Sequence, residues 1–312
     1  MQPILVTGGA GFIGAQLVRR LHAEGHRIAI LCRKTTDCSR LKDLLPHLER
    51  IDGDLENLES IKRCIDQVQP RGIFHLAAST VRSGVTASAE EVVRTNVLGT
   101  ANLLEAARAI PYEFFVSTGS YLEYGTKESP MREDDQCDPL ELYSATKLAA
   151  TLLIQTEARN HEKPTLVLRI FNPYGPGMEP KRLIREMITR SLANEPILMS
   201  DPDTKRDFVF VSDIVDLLLE ISKKAESLKG QIFNLGSGTS VSLRELAEVV
   251  LKETGSTSEI RWRAFPRVIY DAAVCSADMR KTFAAFAWRP LHDITSGITE
   301  TTSWLRSVLT HA

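Results

Sequence analysis

The sequence predicts an α/β fold, a doubly wound parallel sheet with helices on both faces, joined to a smaller mixed α/β domain. Over the first 170 residues, short β-rich runs alternate with segments of helical periodicity. These runs are apolar throughout, as expected of strands that are covered on both faces. After Ile170 the alternation ends in the turn-forming segment Asn172-Pro173-Tyr174-Gly175-Pro176-Gly177. A second domain is therefore expected to be assembled mostly from the residues beyond this point.

The predicted elements follow in order. The β-rich runs of the first part lie at residues 4–6, 27–31, 72–76, 113–116 and 166–170, and the helical segments lie at 13–23, 58–68, 92–109 and 142–158. Such alternation builds right-handed βαβ units and hence a parallel sheet. Beyond the break we predict a helix at 182–192, a strand at 207–211, a helix at 214–223, a strand at 231–235 and an amphipathic helix at 294–309. The first domain is predicted to span residues 1–171, with 207–235 returning to it, and the second to combine 172–206 and 236–312.

Composition excludes several classes of protein. Of the 312 residues, 43% are hydrophobic and 25% are charged, which is typical of a globular chain rather than a disordered one. A net charge of −2 argues against a general nucleic-acid binder, and no apolar run is long enough to span a membrane. The cysteines show no metal-ligand spacing, so we expect free thiols, no structural metal and a cytoplasmic location. They are Cys32, Cys38, Cys64, Cys137 and Cys275.

A glycine-rich turn follows the first strand directly. Its sequence is Thr7-Gly8-Gly9-Ala10-Gly11-Phe12-Ile13-Gly14. Glycines at this spacing allow a tight strand-to-helix turn and let the backbone approach a pyrophosphate, which then lies at the helix N-terminus. Because the turn stands between a strand and an amphipathic helix, it predicts a Rossmann-type dinucleotide-binding domain rather than an ordinary structural turn.

The end of the second strand bears on which dinucleotide is bound. An acidic residue usually lies about 20 residues past the glycines and accepts hydrogen bonds from the adenosine ribose. Here Arg33 and Lys34 follow the strand, and no carboxylate appears before Asp37. Two cations suit a 2′-phosphate, so the sequence favours NADP(H), with NAD(H) and a merely solvated basic loop as the alternatives. Further along, Asp54 and Leu55 follow another strand and are expected to contact the adenine, unless they form a simple surface turn.

A tyrosine and a lysine open one of the predicted helices. Tyr143 and Lys147 are four residues apart, so they lie on the same face one turn from each other. A phenol with its ordinary pKa near 10 is a poor base, but a neighbouring cation favours the phenolate and lowers that pKa. Alone, this pair would usually be an exposed helix pair. Together with the glycine turn, it predicts an acid–base site.

The chain resembles an extended short-chain dehydrogenase/reductase, the group that contains nucleotide-sugar epimerases, dehydratases and ketoreductases. The resemblance extends over nearly the whole chain and is carried by motifs in a fixed order. Besides the glycine turn and the Tyr143/Lys147 pair, these are His75-Leu76-Ala77-Ala78, Asn96-Val97-Leu98-Gly99-Thr100, Val116-Ser117-Thr118, Arg169-Ile170-Phe171-Asn172-Pro173-Tyr174-Gly175, Arg206-Asp207-Phe208, Asn234-Leu235-Gly236-Ser237-Gly238 and Trp288-Arg289-Pro290.

The resemblance implies roles for particular residues. Thr118 would hydrogen-bond the reacting sugar oxygen, Tyr143 would move the proton, and Lys147 would bind the nicotinamide ribose. Ser117 and Ser120 are alternatives to Thr118, because the link to the next Tyr-Gly pair is longer than usual here. Together with the patterns above, the resemblance places cofactor contacts at Gly8, Gly11, Phe12, Ile13, Gly14, Arg33, Lys34, Asp54, Leu55, Leu76, Ala77, Ala78, Asn96, Tyr143, Lys147 and Phe171. It places contacts to a nucleotide-diphosphate sugar at Thr80, Asn172, Arg206 and Arg267, where the two arginines would neutralise the diphosphate or else form surface salt bridges.

Several reactions remain open. Family dehydratases carry acidic residues directly after the catalytic threonine, whereas Gly119 and Ser120 stand there in this chain. Arg33 and Lys34 favour NADP(H), and a consumed reductant is usually NADPH. The sequence therefore favours an NADPH-dependent ketoreductase of a nucleotide-linked 4-keto-6-deoxyhexose. A 4-epimerase with tightly bound NAD is the alternative. A 4,6-dehydratase and a catalytically silent dinucleotide-binding regulator are less favoured, since a silent member usually loses the catalytic residues that this chain keeps.

The resemblance also implies a homodimer. Extended members of the group pair the helices that correspond to 92–109 and 142–158 across a two-fold axis. Both segments are richer in alanine and leucine than one sheet-packing stripe requires. The sequence does not show which face Leu153 occupies, so its place in such an interface stays open.

Overall fold

The computed structural model describes residues 2–79, 87–128, 130–266 and 275–310. Within it the chain divides into two compact units. The first unit comprises Met1–Glu123, Glu141–Arg169 and Val215–Phe233, and the second comprises Tyr124–Leu140, Ile170–Ile214 and Asn234–Ala312. The two domains predicted from the sequence, one for the dinucleotide and one for the substrate, are defined by what they bind and stay a prediction.

The elements alternate along the first unit as the sequence predicts. In chain order the strands are β1 (Ile4–Thr7), β2 (Ile28–Cys32), β3 (Glu49–Asp52), β4 (Gly72–His75), β5 (Phe114–Ser120), β6 (Thr165–Ile170), β7 (Asn172–Tyr174), β8 (Ile197–Leu198), β9 (Lys205–Phe210), β10 (Ile232–Leu235), β11 (Ser240–Ser242) and β12 (Ile260–Arg261). The helices are α1 (Phe12–Ala23), α2 (Leu58–Val68), α3 (Ala89–Val93), α4 (Gly99–Arg108), α5 (Leu142–His161), α6 (Leu183–Leu192), α7 (Val211–Ser222), α8 (Leu243–Thr254), α9 (Arg280–Ala285) and α10 (Ile294–Thr310).

In the described residues, seven strands form a parallel sheet in the order β10-β6-β5-β4-β1-β2-β3. The order reverses between β1 and β4, which pair in parallel with Thr7 opposite His75. In sheets of this kind, ligands bind beyond the carboxyl ends of the strands at such a reversal. The topology therefore directs attention to the residues that follow β1 and β4.

Helices cover both faces of this sheet. Leu5 and Leu31 pack on one face in a core that also contains apolar residues of α2, α4 and α5. Val6 follows Leu5 in β1, and Ile30 precedes Leu31 in β2. Because neighbouring residues of a strand point to opposite faces, Val6 and Ile30 face the other side of the sheet, where α1 packs. All four side chains are at most 6% exposed. The doubly wound parallel sheet predicted from the sequence is confirmed.

Three features of the first unit depart from the sequence prediction. The strand expected before Asp54 was given no bounds, because only Ile51 of the four residues of β3 is buried. Strand β5 continues to Ser120, so Thr118 lies within the strand rather than after it. The single helix expected at 92–109 is instead α3, a π-helical turn at Arg94–Leu98 and α4. π-Turns often occur at functional sites, and this one contains Asn96.

The second unit has its own small sheet and helical layer. Strand β9 is central, with β7 parallel to it and β11 antiparallel to it. Helices α6, α8 and α10 pack on one another. Within the described ranges, no helix is both long enough and apolar enough to cross a membrane.

Candidate active site

The glycine turn after β1 is required by close packing of backbone on backbone. Gly8 has φ +70°, and a Cβ at this position would lie 2.6 Å from the backbone nitrogen of Ala77. A Cβ on Gly14 would overlap the carbonyl oxygen of Gly8. Gly11 differs from these two, since its φ of −73° suits any residue and its Cβ would lie 3.2 Å from the same oxygen. Gly8 and Gly14 therefore bring the start of α1 close to both β1 and the loop after β4.

The first turn of α1 suits an anion. Its N-cap residue is Gly11, and no side chain caps the helix. The first backbone N–H groups of a helix have no intrahelical partner, and the helix dipole adds positive potential there. Phe12 is buried and Ile13 half-buried in this turn. The N–H of Gly11 already donates to the carbonyl of Gly8 at 3.0 Å. The residues present therefore fit the pyrophosphate of a dinucleotide, which backbone donors at Phe12 and Ile13 would bind.

The steric requirement at Gly14 leads to a prediction. In Gly14→Ala the added methyl meets backbone that cannot move away, so the turn has to open. We expect the free energy of unfolding to fall by about 1–3 kcal/mol, the range for overpacking, and dinucleotide affinity to fall tenfold or more. Chemical denaturation and titration with NAD(H) and NADP(H) measure the two effects. Gly11→Ala is the matched control, and equal losses in both variants would contradict the steric explanation.

The residues at the end of β2 are exposed. Arg33 and Lys34 follow the strand, and among the residues that the structure describes neither has a carboxylate partner. The carboxylate of Asp37 is already engaged, because it accepts hydrogen bonds from the backbone and hydroxyl of Ser39 at 2.9 and 3.0 Å. Those bonds hold the pKa of Asp37 below its usual value. An acidic ribose-binding residue is thus missing here from the structure as well as from the sequence.

After β3, Asp54 is half-buried and Leu55 is buried. The Asp54 carboxylate accepts a hydrogen bond from the backbone of Glu56 at 3.0 Å. The carbonyl of Leu55 accepts one from the Asn102 side chain at 2.8 Å. Both residues are therefore held in a fixed turn beside the β2 end, which is compatible with the adenine contact expected of them.

Candidate hydroxyl groups lie along the end of β5. Ser117 donates its hydroxyl proton to the carbonyl of His75 at 3.2 Å, so that proton is already committed to the backbone. Thr118 and Ser120 share the other face of the strand, since alternate residues of a strand point the same way. Thr118 is half-buried, and its hydroxyl has no hydrogen-bond partner among the described residues. The hydroxyl oxygen of Ser120 accepts a hydrogen bond from the backbone N–H of Leu122 at 3.2 Å. The structure favours Thr118 and Ser120 over Ser117 as donors to a substrate.

Helix α5 presents the tyrosine and lysine together. A reciprocal capping box between Glu141 and Ser144 fixes its start, which places Tyr143 and Lys147 in its first two turns. Tyr143 is half-buried, whereas Lys147 is 5% exposed. Burial lowers the pKa of Lys147, and the charge of Glu123 opposes that shift. In the described part of the chain the buried ammonium has no hydrogen-bond partner, so its donors are available to a ribose.

A chain of hydrogen bonds runs behind the site from β1 to α4. Thr7 Oγ1 lies 2.7 Å from His75 Nδ1, and His75 Nε2 lies 3.0 Å from Thr100 Oγ1. Because Thr100 donates its proton to the carbonyl of Asn96 at 2.7 Å, it must accept from Nε2–H. Nδ1 is then the acceptor of the Thr7 proton. Burial and the charge of Lys147 lower the pKa of His75 to about 3, so this imidazole stays neutral.

Asn96 connects the loop after β4 to the catalytic helix. Its side chain accepts from the backbone of Ser79 at 2.8 Å and donates to the Ser79 carbonyl at 2.9 Å. It also donates to Thr146 Oγ1 at 3.0 Å, and Thr146 in turn donates to the carbonyl of Tyr143 at 2.8 Å. Asn96 is 2% exposed. Its polar atoms are thus engaged within the protein, so its effect on a cofactor would come through the loop at Leu76, Ala77 and Ala78 and through α5.

Glu123 was not singled out by the sequence prediction. It has no exposed surface. One carboxylate oxygen accepts from the backbone of Ser120 at 2.7 Å, and the other accepts from Thr151 Oγ1 at 2.9 Å and from Arg169 Nε at 2.9 Å. A Cβ on Gly119 would lie 2.7 Å from this carboxylate, which explains a glycine there. A charged residue in the otherwise apolar segment Tyr121-Leu122-Glu123-Tyr124 was the available signal.

In the second unit, the expected substrate contacts Asn172 and Arg206 lie on one small sheet. Asn172 on β7 is opposite Phe208 on β9, and Arg206 precedes that position by two residues. The Asn172 side chain donates to the carbonyl of Asp207 at 3.0 Å. Phe171 is fully buried, which counts against a direct contact between its side chain and a nicotinamide.

Asp207 fixes this part of the sheet. It has no exposed surface, and burial raises its pKa to about 6. Its carboxylate accepts from the backbone and hydroxyl of Ser237, each at 2.7 Å, and from the backbones of Gly238 and Ala277 at 3.0 and 2.9 Å. These bonds hold β9, and with it Arg206, against the turn after β10. Thr80 and Arg267, the other two expected substrate contacts, lie outside the described residues.

The geometry of the first unit defines a class of enzyme. A backbone cradle for a pyrophosphate at the sheet reversal, with a tyrosine, a buried lysine and a hydroxyl near the end of β5, is typical of an extended short-chain dehydrogenase/reductase. The model of the NAD dependent epimerase/dehydratase family matches residues 4–236, and the chain belongs to this family. The family resemblance and the enzyme class predicted from the sequence are confirmed.

Individual relatives carry different activities in their names. A dTDP-glucose 4,6-dehydratase of Neisseria gonorrhoeae is 29% identical over 329 residues, covering 96% of this chain and 94% of that protein. A putative UDP-glucose 4-epimerase of Methanocaldococcus jannaschii is 29% identical over 318 residues, covering 97% of this chain and 98% of that protein. Among solved structures, MoeE5 in complex with UDP-glucose and NAD is 32% identical with a TM-score of 0.87, covering 98% of this chain and 99% of that one. The relatives thus agree on the family and differ in the reaction.

Proposed function

We propose that this protein is an NADPH-dependent reductase of a keto group on a nucleotide-diphosphate sugar, favoured as a 4-keto-6-deoxyhexose. The nicotinamide, when bound, supplies the hydride. Tyr143 gives its proton to the ring carbonyl oxygen, and the buried ammonium of Lys147 stabilises the resulting phenolate. The hydroxyl of Thr118, or of Ser120 two residues on, donates a hydrogen bond to the same oxygen.

The observation that carries this proposal is the basic end of β2. Arg33 and Lys34 are exposed, and their charges are not neutralised by a carboxylate within the described residues. A phosphate with about two negative charges fits such a pair, because guanidinium forks match its oxygens. NADPH differs from NADH by this 2′-phosphate. A reductant that is consumed in every turnover is usually NADPH, which favours reduction over a reaction that recycles NAD.

Two observations speak against 4,6-dehydration. Thr118 is followed by Gly119 and Ser120, and Ser120 is followed by Tyr121 and Leu122. Neither candidate hydroxyl is therefore followed directly by a carboxylate. Glu123 is the carboxylate of this segment, and it is fully buried against Arg169 and Thr151. The proton acceptor and donor that elimination of water requires are therefore not supplied from the end of β5.

A 4-epimerase is the second candidate, and one comparison favours it. MoeE5 was solved with UDP-glucose and NAD and is 32% identical to this chain. Epimerisation needs the same hydroxyl, tyrosine and lysine, with Tyr143 taking a proton from the sugar hydroxyl and later returning it. Such an enzyme holds its NAD tightly and shows no net consumption of reductant.

One experiment separates the two candidates. The nucleotide that remains with the purified protein is released and identified by mass and absorbance. Reduction predicts an empty site that fills with NADPH, and oxidation of NADPH at 340 nm when a nucleotide-linked 4-keto-6-deoxyhexose is added. Retained NAD together with interconversion of UDP-glucose and UDP-galactose would establish the epimerase instead.

A substitution at the basic pair tests the cofactor assignment. We expect Arg33→Ala to weaken NADPH binding by about 1.5–3 kcal/mol, the range for hydrogen bonds to charged groups, and to leave NADH binding almost unchanged. Lys42→Ala, which removes another exposed cation from the same part of the chain, is the matched control. Equal losses for both cofactors, or a wild-type preference for NADH, would refute the assignment.

We further propose that the protein is a cytoplasmic homodimer. All five cysteines are free, which suits a reducing compartment. On α5, residues 142, 145, 149, 152 and 156 follow heptad-like spacing and form one face, on which Leu142 and Leu152 are 40% and 50% exposed. Val93 and Leu98, beside this helix, are 43% and 41% exposed. Leu153 instead packs in part against the core of its own unit, so Leu152 is the sharper probe.

A further inference from the structure

We propose that Glu123 is a positioning residue, which keeps Lys147 charged and oriented at the buried start of α5 and thereby governs proton transfer at Tyr143. The inference rests on the proposed function only in assigning the proton transfer to Tyr143. The relation between Glu123 and Lys147 concerns the first unit alone and does not depend on the reaction.

The face of α5 that carries the active residues also carries the contact to Glu123. Tyr143, Lys147 and Thr151 are spaced four residues apart, so they form one stripe along the helix. Glu123 accepts the Thr151 hydroxyl at 2.9 Å, directly one turn beyond Lys147. The carboxylate therefore lies against the same side of the helix as the ammonium.

Glu123 also fixes the end of the strand that bears the candidate hydroxyls. Its second oxygen accepts the backbone N–H of Ser120, the last residue of β5, at 2.7 Å. It occupies the space beside Gly119, where a side chain would collide with it. One buried carboxylate thus connects the hydroxyl end of β5 to the tyrosine–lysine stripe of α5.

The charges around Lys147 show why a carboxylate is needed. The groups that surround it are His75 from β4, Glu123 after β5, Arg169 from β6 beyond Glu123, and Tyr143 on its own helix. His75 is neutral at physiological pH because its pKa is lowered to about 3, and Arg169 is a cation. Burial disfavours a lone ammonium. Glu123 is the negative charge that opposes this effect and raises the pKa of Lys147.

The sign of the expected change follows directly. Replacing Glu123 by glutamine removes the negative charge and keeps the shape, so the charged form of Lys147 loses support and its pKa falls. A neighbouring opposite charge shifts a pKa by about 1–3 units, and we expect a fall of about 1 unit in Glu123→Gln. The alkaline limb of kcat, and of dinucleotide binding, should move to lower pH by the same amount.

Glu157 provides a matched control. It is another buried carboxylate of the first unit, 3% exposed, and it pairs with Arg108 at 2.9 and 2.8 Å. It lies ten residues beyond Lys147 on α5, about 15 Å along the helix axis. Glu157→Gln therefore removes a carboxylate–arginine pair of the same kind without touching the surroundings of Lys147. Both variants should lower the melting temperature, but only Glu123→Gln should change the titration of Lys147.

The experiment measures Lys147 itself. In protein labelled with 13C at lysine Cε, the Lys147 resonance is assigned by its loss in Lys147→Met, and its shift is followed from pH 6 to 11 without substrate. A lower pKa in Glu123→Gln and an unchanged one in Glu157→Gln support the proposal. An unchanged Lys147 pKa in Glu123→Gln, with only a lower melting temperature, would reduce Glu123 to a structural role and overturn it.

A second variant keeps the test available if Glu123→Gln does not fold. Glu123→Gln/Arg169→Met replaces both partners of the buried pair by neutral groups, which removes the unpaired charge that threatens folding. Loss of the Arg169 cation favours the Lys147 ammonium slightly, but Glu123 is the charge that acts on Lys147 more strongly. The Lys147 pKa should therefore fall in this double variant as well, by less than in Glu123→Gln, and no shift would overturn the proposal. Since no substrate is used, failure of the proposed reaction would leave this result untouched.

Discussion

Tyr143→Phe is expected to abolish turnover while the protein still folds and binds its dinucleotide. Positioned proton transfer contributes about 10²–10⁴-fold to a rate, and removal of the phenolic oxygen removes the whole of that contribution. Dinucleotide affinity should stay within a few-fold of wild type, because the glycine turn and the ammonium of Lys147 are unchanged. Steady-state rates and a binding titration on the same preparation measure both.

Tyr112→Phe is the control for this substitution. Tyr112 is a buried tyrosine of the same unit that packs beside Phe115 in the core, away from the site. Its variant should keep full activity. Retention of more than about a tenth of the wild-type rate in Tyr143→Phe would remove Tyr143 from the mechanism.

Leu152→Arg is expected to convert a dimer into monomers. If Leu152 lies in the proposed interface, the substitution buries an unpaired charge at a cost of about 3–5 kcal/mol, which raises the dissociation constant at least about 100-fold. Sedimentation at micromolar concentration should show one species near the mass of a single chain for the variant and near twice that mass for the wild type. Activity should fall with the dimer, because α5 carries the catalytic pair.

Leu291→Arg is the matched control for the dimer. Leu291 is a leucine of the second unit that is 78% exposed and outside the proposed interface. This variant should sediment as the wild type does. A wild-type protein that sediments as a single chain would refute the dimer, and a dimeric Leu152→Arg would place the interface elsewhere.

Sequence patterns were sufficient for those features that depend on neighbours along the chain. The glycine turn, the Tyr143/Lys147 pair and the alternation of strands and helices are local, since each is encoded within about 20 residues. The bounds of β3 could not be predicted, because only Ile51 of its residues is buried and it lacks the apolar run of its neighbours. The π-turn escaped because Asn96 is held by Ser79 and Thr146, residues that spacing alone cannot bring together.

The same limit applies to the candidate site. Glu123 acquires its surroundings from Arg169, which is 46 residues away, and from Thr151, which is 28 residues away. Its apolar neighbours in the segment suggest burial, but they do not show which groups its carboxylate meets. Conversely, Phe171 was placed against the cofactor on motif grounds, and the structure buries it completely. The burial of a side chain is decided by the tertiary fold, which explains why the motifs did not reveal Glu123. The cofactor contact of Phe171 stays a prediction.

The hydrogen-bonded chain through Thr7, His75 and Thr100 does not conduct protons. Its bonds all run in one direction and end at the carbonyl of Asn96, and reversing them would require a protonated imidazole. With the His75 pKa at about 3, that species is essentially absent near neutrality. No proton can therefore reach Tyr143 along this route. In the reaction proposed above, Tyr143 gives up one proton per turnover. Because Tyr143 is half-buried rather than sealed from solvent, hydration of its phenolic oxygen offers a way to restore that proton.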